Sequence, residues 1–141
     1  MDDYLIRKLN VSDYEKYLSL INQFRPTFFT LEDYKNTLSK IESNSVIWVI
    51  EYNDELIGTT TVIYEYKFIH NISKSAHIED VCIDKNHRNK GIGNLLINFV
   101  VNEANKEKCY KIILNCHDNL ENFYKKSGLE KKDIQMVKYF T

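Results

Sequence analysis

The sequence predicts a single α/β domain, with α+β character, over residues 1–141. Three observations carry this. His77 to Ile83 reads as a strand that enters a basic two-glycine loop and then an amphipathic helix ending near Glu107. Val46–Ile50 and Leu56–Ile63 are apolar, β-branched runs on either side of Asn53-Asp54, the pattern of a hairpin. With 43% hydrophobic residues, one proline and four glycines, the chain can build one core, and no linker or repeat divides it.

In order, Tyr4–Leu9 reads as an opening strand. Ser12-Asp13-Tyr14-Glu15 has the form of a capping box, and behind it Tyr14, Tyr17, Leu18 and Ile21 take helical spacing. Phe24–Phe29, with Arg25 and Pro26, is a loop. Thr30 to Asp33 caps a second helix, with Leu31, Tyr34, Leu38 and Ile41 inward. After the hairpin, Lys67–His70 ends or follows its second strand, and residues 71–75 form a polar loop. In the long helix Ile92, Leu95, Leu96, Phe99 and Val100 recur at i, i+3, i+4, i+7 and i+8, one apolar face. Tyr110–Cys116 is a further buried strand. Glu121–Ser127 is a short helix stopped by Gly128, and Gln135–Phe140 closes as a strand. The order is βαα, hairpin, βαβαβ.

A net charge of −1 gives no global basic field for nucleic acid or membrane. No apolar run is long enough to span a bilayer and no secretory signal opens the chain, so a soluble cytoplasmic protein is expected. Cys82, Cys109 and Cys116 are odd in number and lack metal-ligand spacing, so no metal site is expected. Cys82 and Cys116 fall inside apolar strand runs and read as buried free thiols of a reducing compartment.

The chemistry concentrates in Arg88-Asn89-Lys90-Gly91-Ile92-Gly93. Glycines let the backbone approach a bound group without an intervening Cβ. The first turn of a helix leaves N–H groups unpaired, and its dipole favours negative charge. Strand, glycine loop and helix start together make an anion cradle suited to phosphate or pyrophosphate. No Gly-Lys-Ser/Thr ends the loop, so it is not a P-loop, and it lacks the third glycine of the dinucleotide fingerprint. Two glycines alone also suit an ordinary tight turn.

The neighbours narrow the reading. Arg-x-x-Gly-x-Gly after a strand and before an amphipathic helix resembles the coenzyme A loop of the GNAT acetyltransferases. The segments HIEDV, RNKGIGNLLI, CYKIILNC, NFYKKSG and QMVKYF resemble one branch, the glucosamine-6-phosphate N-acetyltransferases, from about Lys67 to Phe140. The resemblance implies a mixed, mostly antiparallel twisted sheet flanked by helices, with a strand pair splayed at the CoA site. It implies acetyl transfer from acetyl-CoA to the 2-amino group of D-glucosamine 6-phosphate, a step of UDP-N-acetylglucosamine synthesis, by direct attack in a ternary complex.

Residue by residue, the resemblance assigns the pyrophosphate to Arg88, Asn89, Lys90, Gly91, Ile92 and Gly93. It assigns the pantetheine to the backbone of Val81, Cys82 and Ile83, and a CoA phosphate to Lys126. Tyr124 stands near the thioester sulfur, where its O–H stabilises or protonates the departing thiolate; in a chain of ten tyrosines it also suits helix packing. Glu79 faces the sugar and accepts from amine or hydroxyl. Asp80, its neighbour, is expected on the opposite face by strand alternation. Lys67 and His70 line the sugar-phosphate site, Asn22 aligns loosely with a sugar contact, and Lys138 brings a basic group from the other subunit of a homodimer. His77 and His87 have no assigned partner.

Two positions depart from the family pattern. Asn115 replaces an aspartate whose backbone carbonyl orients the amine, a carbonyl that survives the change. Leu120 replaces an asparagine in the loop before Phe123-Tyr124. Two other classes remain open at this level. A GNAT enzyme for a protein N-terminus, lysine or polyamine would not need Lys67, His70 and Lys138 to converge. A non-catalytic acyl-CoA-binding module would have no use for Tyr124.

Overall fold

The computed structural model describes residues 3–141; the first two residues of the expected domain lie outside the described part. The chain runs β1 (Leu5–Lys8), α1 (Tyr14–Asn22), α2 (Leu31–Ile41), β2 (Ser45–Tyr52), β3 (Glu55–Lys67), an irregular turn α3 (Ile69–Ile72), β4 (Ser73–Ile83), α4 (Ile92–Lys106), β5 (Lys111–Ile113) and α5 (Glu121–Lys125). One sheet takes the order β1-β2-β3-β4-β5. Its pairs are antiparallel except β4–β5, which is parallel because α4 crosses back between them.

Each face of the sheet has its own core. On one, Ile92, Leu96, Ile97, Val100 and Ala104 of α4 pack on Trp48, Ile50, Ile57, Val62, Ala76 and Ile78. On the other, Leu20, Tyr34 and Leu38 of α1 and α2 pack on Ile47, Val49, Leu56 and Cys82. Fully burying such a side chain contributes about 1.5–3 kcal/mol. The apolar stripe of α4 centres on Ile92, Leu96, Val100 and Ala104, so Ile97 is buried where Leu95 was expected and Leu95 is left exposed.

The first helix is entered differently from the sequence expectation. The box is built by Asn10 and Asp13 instead of Ser12 and Glu15. The reason lies in β1: Arg7 donates to both Asp13 oxygens at 2.8 and 2.9 Å, which fixes that carboxylate where it accepts Asn10 N–H at 2.8 Å. The second helix is capped by Thr30 and Asp33, as expected.

The second half differs more. β3 and β4 form one long hairpin whose ladder reaches Lys67↔Ser73, so the expected polar loop shrinks to a turn. His70, Asn71 and Ile72 all take positive φ there, at 55, 58 and 62°. β5 spans only Lys111–Ile113, and Cys116 beyond it is exposed rather than buried. No strand forms over residues 135–140. Ile134, Met136, Val137, Tyr139 and Phe140 stand exposed. An isolated extended segment has no ladder partner for its N–H and C=O groups, so nothing in the single chain makes it a strand.

Candidate active site

Asp84 leads from β4 into the loop. Its carboxylate accepts from Gln23 Nε2 at 2.7 Å, Asn86 N–H at 3.1 Å and pairs with His87 Nδ1 at 2.8 Å. Burial pushes the Asp84 carboxyl up, but the bonds from Gln23 and His87 outweigh it and hold it below the usual range. Arg88 Nε donates to Ile83 O at 3.2 Å, pinning the loop to the strand end. Asn89 and Gly91 are left-handed, at φ 62 and 79°.

Gly91 is the N-cap of the 15-residue α4 and offers no side-chain cap to the first turn. A Cβ built there meets nothing within 4 Å. Open space, uncapped N–H groups, the helix dipole and the exposed Arg88 and Lys90 are features that suit an anion. Gly93 has a different reason from the one expected. A Cβ on it would lie 2.7 Å from Phe123 Cζ, so this glycine lets α5 pack on α4. Ser127 Oγ, 3.4 Å from Asn94 Oδ1, adds to the same contact. Lys126, between Phe123 and Ser127, is thereby held beside the first turn of α4 and stays exposed.

The splay lies next to this loop. β5 pairs with β4 only over Ser75–His77, and β4 continues to Ile83. Val81, Cys82 and Ile83 are in the part of β4 beyond that ladder. Cys82 is buried under α1, with Sγ 3.6 Å from Leu20 O, and burial pushes its thiol up. That makes it a packing group and a poor nucleophile.

A bulge changes the reading of Glu79 and Asp80. Thr59 pairs with Cys82 and Thr61 with Glu79, so β4 carries one extra residue, and Asp80 is left-handed at φ 53°. Ala76 and Ile78 face α4 before the bulge, Val81 and Ile83 face it after, and Cys82 faces α1. Glu79 and Asp80 therefore both lie on the face away from α4, where simple alternation had separated them. The Asp80 charge reaches Tyr17 of α1. Burial first, and Asp80 second, push the Tyr17 hydroxyl up to about 12.

Tyr124 approaches from the other face. It is buried in the α4 core, edge-on to Phe123 at 4.8 Å. Burial, then Cys116, raise its pKa. Ile112 and Leu114 pack into that core, and Asn115 follows just beyond the end of β5, where it is exposed. Asn115, Cys116 and Tyr124 line a cavity of about 550 Å³ that extends under Leu129 to Gln135 of the C-terminal segment. A reacting group at the splay would have carboxylates on one side and a protonated phenol on the other.

The remaining predicted residues lie elsewhere in the single chain. Lys67 is six positions along β3 from Thr61, the partner of Glu79, so about 20 Å away. It ion-pairs with Glu65 at 3.3 Å. His70 stacks on Tyr110 at 4.0 Å, beyond the far end of the hairpin. Asn22 is engaged locally, donating to Leu18 O at 2.9 Å and accepting Thr27 N–H at 2.9 Å. Lys138 is on the exposed C-terminal segment, its Nζ 5.8 Å from the Phe140 ring. Leu120 ends a short 3₁₀ turn ahead of α5.

Two groups escaped sequence reasoning. Gln23 clamps the loop from α1, since its Oε1 also accepts Lys85 N–H at 2.9 Å. His77 pairs with Glu65 at 3.0 Å. No sequence spacing announces the first. The second was legible only once Glu65 and His77 were placed across one antiparallel ladder.

The comparisons agree with this geometry. The acetyltransferase (GNAT) family model matches residues 7–129. A relative from Arabidopsis thaliana, named glucosamine 6-phosphate N-acetyltransferase, is 36% identical over 99% of this chain and 98% of its own length. One of the same name from rice, Oryza sativa subsp. japonica, is 33% identical over 97% of this chain and 87% of its own. The crystal structure of the Arabidopsis enzyme superposes with a TM-score of 0.93 over 99% of this chain and all of that one. No helix of the described residues is long and apolar enough to cross a membrane. Loop, splay and buried tyrosine are thus found in a chain that belongs to the GNAT acetyltransferase family.

Proposed function

We propose that this protein transfers the acetyl group of acetyl-CoA to the 2-amino group of D-glucosamine 6-phosphate, supplying N-acetylglucosamine 6-phosphate for UDP-N-acetylglucosamine synthesis. The single observation that carries the reading is the two-sided splay: Glu79 and Asp80 on one face and Tyr124 on the other. Full-length similarity to relatives named for this reaction sets the acceptor class.

The CoA pyrophosphate binds at Arg88–Gly93, mainly through backbone N–H groups, and Lys126 takes a further phosphate. Pantetheine lies along Val81–Ile83 like an added strand. A backbone N–H near Cys82 polarises the thioester carbonyl as it becomes an oxyanion. The neutral amine attacks from the Glu79 face, oriented by the Asn115 carbonyl. An ordinary thiol titrates near 8.5 and a phenol near 10. Tyr124, raised by burial, therefore keeps its proton and stabilises the thiolate by hydrogen bonding, rather than giving the proton away outright.

The sugar phosphate needs cations, and the candidates are far from Glu79 within one chain. Lys67 and His70 sit at the opposite end of the hairpin, and Lys138 is on an exposed apolar segment. This separation supports a homodimer in which each site takes its phosphate contacts across the two-fold axis. The cavity between β5, α5 and residues 129–135 offers room for the partner's terminal segment, which would then gain a ladder.

The test is CoA release with a panel of amines. Glucosamine 6-phosphate should exceed glucosamine and lysine peptides in kcat/KM by about 100-fold or more, since charge-assisted phosphate contacts contribute about 1.5–3 kcal/mol each. Equal rates with and without the phosphate would remove the sugar-phosphate assignment.

A further inference from the structure

The face of the sheet away from α4 carries a row of polar groups that runs along the β3–β4 hairpin and ends, at His77, where the splay begins. His77 Nε2 lies 3.0 Å from Glu65 Oε1, and Glu65 Oε2 lies 3.3 Å from Lys67 Nζ. His77 shares this face with Glu79, two residues on, so their Cα atoms are about 7 Å apart. Its ring is partly open, with the side chain 30% exposed. A carboxylate on Nε2 selects the tautomer with the proton there, donated to Glu65, and leaves the Nδ1 lone pair free. Ile113, the β5 partner of His77, is the last residue paired before the splay opens. The imidazole is therefore at the mouth of the splay, on the side from which the amine arrives.

We propose that His77, held by Glu65, is the positioning and relay group that receives the proton shed by the acceptor amine. This rests on the acyl-transfer reading above. An amine arriving as ammonium passes one proton, through a water or Glu79, to His77 Nδ1. The freed lone pair attacks the thioester carbon. The C–N bond forms, the C–S bond breaks, and CoA leaves as a thiolate held by Tyr124. The second nitrogen proton ends on the thiolate, giving the thiol, and the imidazolium returns its proton to solvent through the exposed ring edge. One proton is released per turnover, as the overall reaction of an ammonium requires. The charged groups facing His77 are Glu65 and Lys67 of β3, Glu79 and Asp80 of β4, and Lys111 of β5, which pairs with Ser75 on the same face. Glu65 neutralises the imidazolium as it forms.

The experiment measures kcat/KM for glucosamine 6-phosphate from about pH 6 to pH 9 in wild type, His77→Ala and Glu65→Gln, with and without added imidazole. A relay is expected to be worth about 10–100-fold, at or below the usual range for general acid–base catalysis. His77→Ala should lose that much near pH 6.5, recover part of it with imidazole, and approach wild type toward pH 9, where the amine arrives neutral. Glu65→Gln should show the same narrowing from a smaller loss, and acetyl-CoA affinity should be unchanged in both. A deficit that is constant across pH and indifferent to imidazole overturns the proposal and makes the pair structural. If His77→Ala fails to fold, Glu65→Gln decides, and a wild-type profile there overturns it. A wild-type protein inert toward the sugar phosphate contradicts the acceptor assignment instead, and the same profile is then read with whichever amine of the panel is acetylated.

Discussion

Tyr124 shows what the burial of one side chain does to its chemistry. Removed from water by the α4 core, its hydroxyl is pushed up by burial and keeps the proton it needs to act as a donor. Tyr124→Phe deletes that donor and keeps the ring packed against Phe123. kcat should fall by roughly 10- to 1000-fold, the range of a lost transition-state donor, with little change in KM for acetyl-CoA. Steady-state kinetics with acetyl-CoA varied gives both numbers; a wild-type kcat would return the residue to packing alone. Tyr124 was legible because the Phe-Tyr-x-Lys…Gly setting singled it out among ten tyrosines. The Glu79–Asp80 relation was not, because strand alternation is a default that one left-handed residue overrides, and nothing in Ile-Glu-Asp-Val marks the bulge. Gly93 was legible as a glycine but not for its reason, which depends on where Phe123 lands.

Among the elements, β1 and α1 are joined by an ion network that the apolar pattern does not reveal. Arg7 bridges Asp13 and Glu51, at 2.8 and 2.9 Å, and the Asp13 side chain is only 7% exposed. Burial pushes the Asp13 carboxyl up, but the Arg7 bonds and the Asn10 N–H outweigh it and set it below its ordinary 3.8. A depressed carboxyl stabilises the fold at pH values above its unfolded pKa. That contribution is lost as pH falls from about 3.8 through the lower folded value. Asp13→Asn should therefore cost about 1–3 kcal/mol at neutral pH, and the gap to wild type should close in strong acid. Urea unfolding at neutral pH and below pH 3.8 measures both. A constant gap would mean that the carboxylate's charge is not what matters. The types of β2, β3 and α4 followed from periodicity because each buries a face in the core, whereas the start of β4 lay hidden in a polar stretch read as loop. The terminal strand did not form because nothing in the single chain offers it a ladder, and β5 is short because β4 and β5 diverge after His77.

For the whole molecule, we propose that amine and phosphate of one acceptor are gripped by different chains. Glu79 and Tyr124 flank the splay, while Lys138 stands on an exposed segment rich in apolar residues that a partner would cover. The single-chain order of elements was readable from sequence, since local pattern encodes it. Which residues meet across a two-fold axis is not a local property, and Lys67, His70 and Lys138 could be assigned only by resemblance. The most direct measurement is complementation. Lys138→Ala and Tyr124→Phe chains are mixed under conditions of verified subunit exchange, and CoA release with glucosamine 6-phosphate is followed. Shared sites place both defects in one site of the mixed dimer and leave the other intact, so activity should climb toward a quarter of wild type at equal mixing, since about half the dimers are mixed and each has one good site. If the sum of the two impaired parents is all that appears, or if Lys138→Ala alone is fully active, the shared-site account is contradicted.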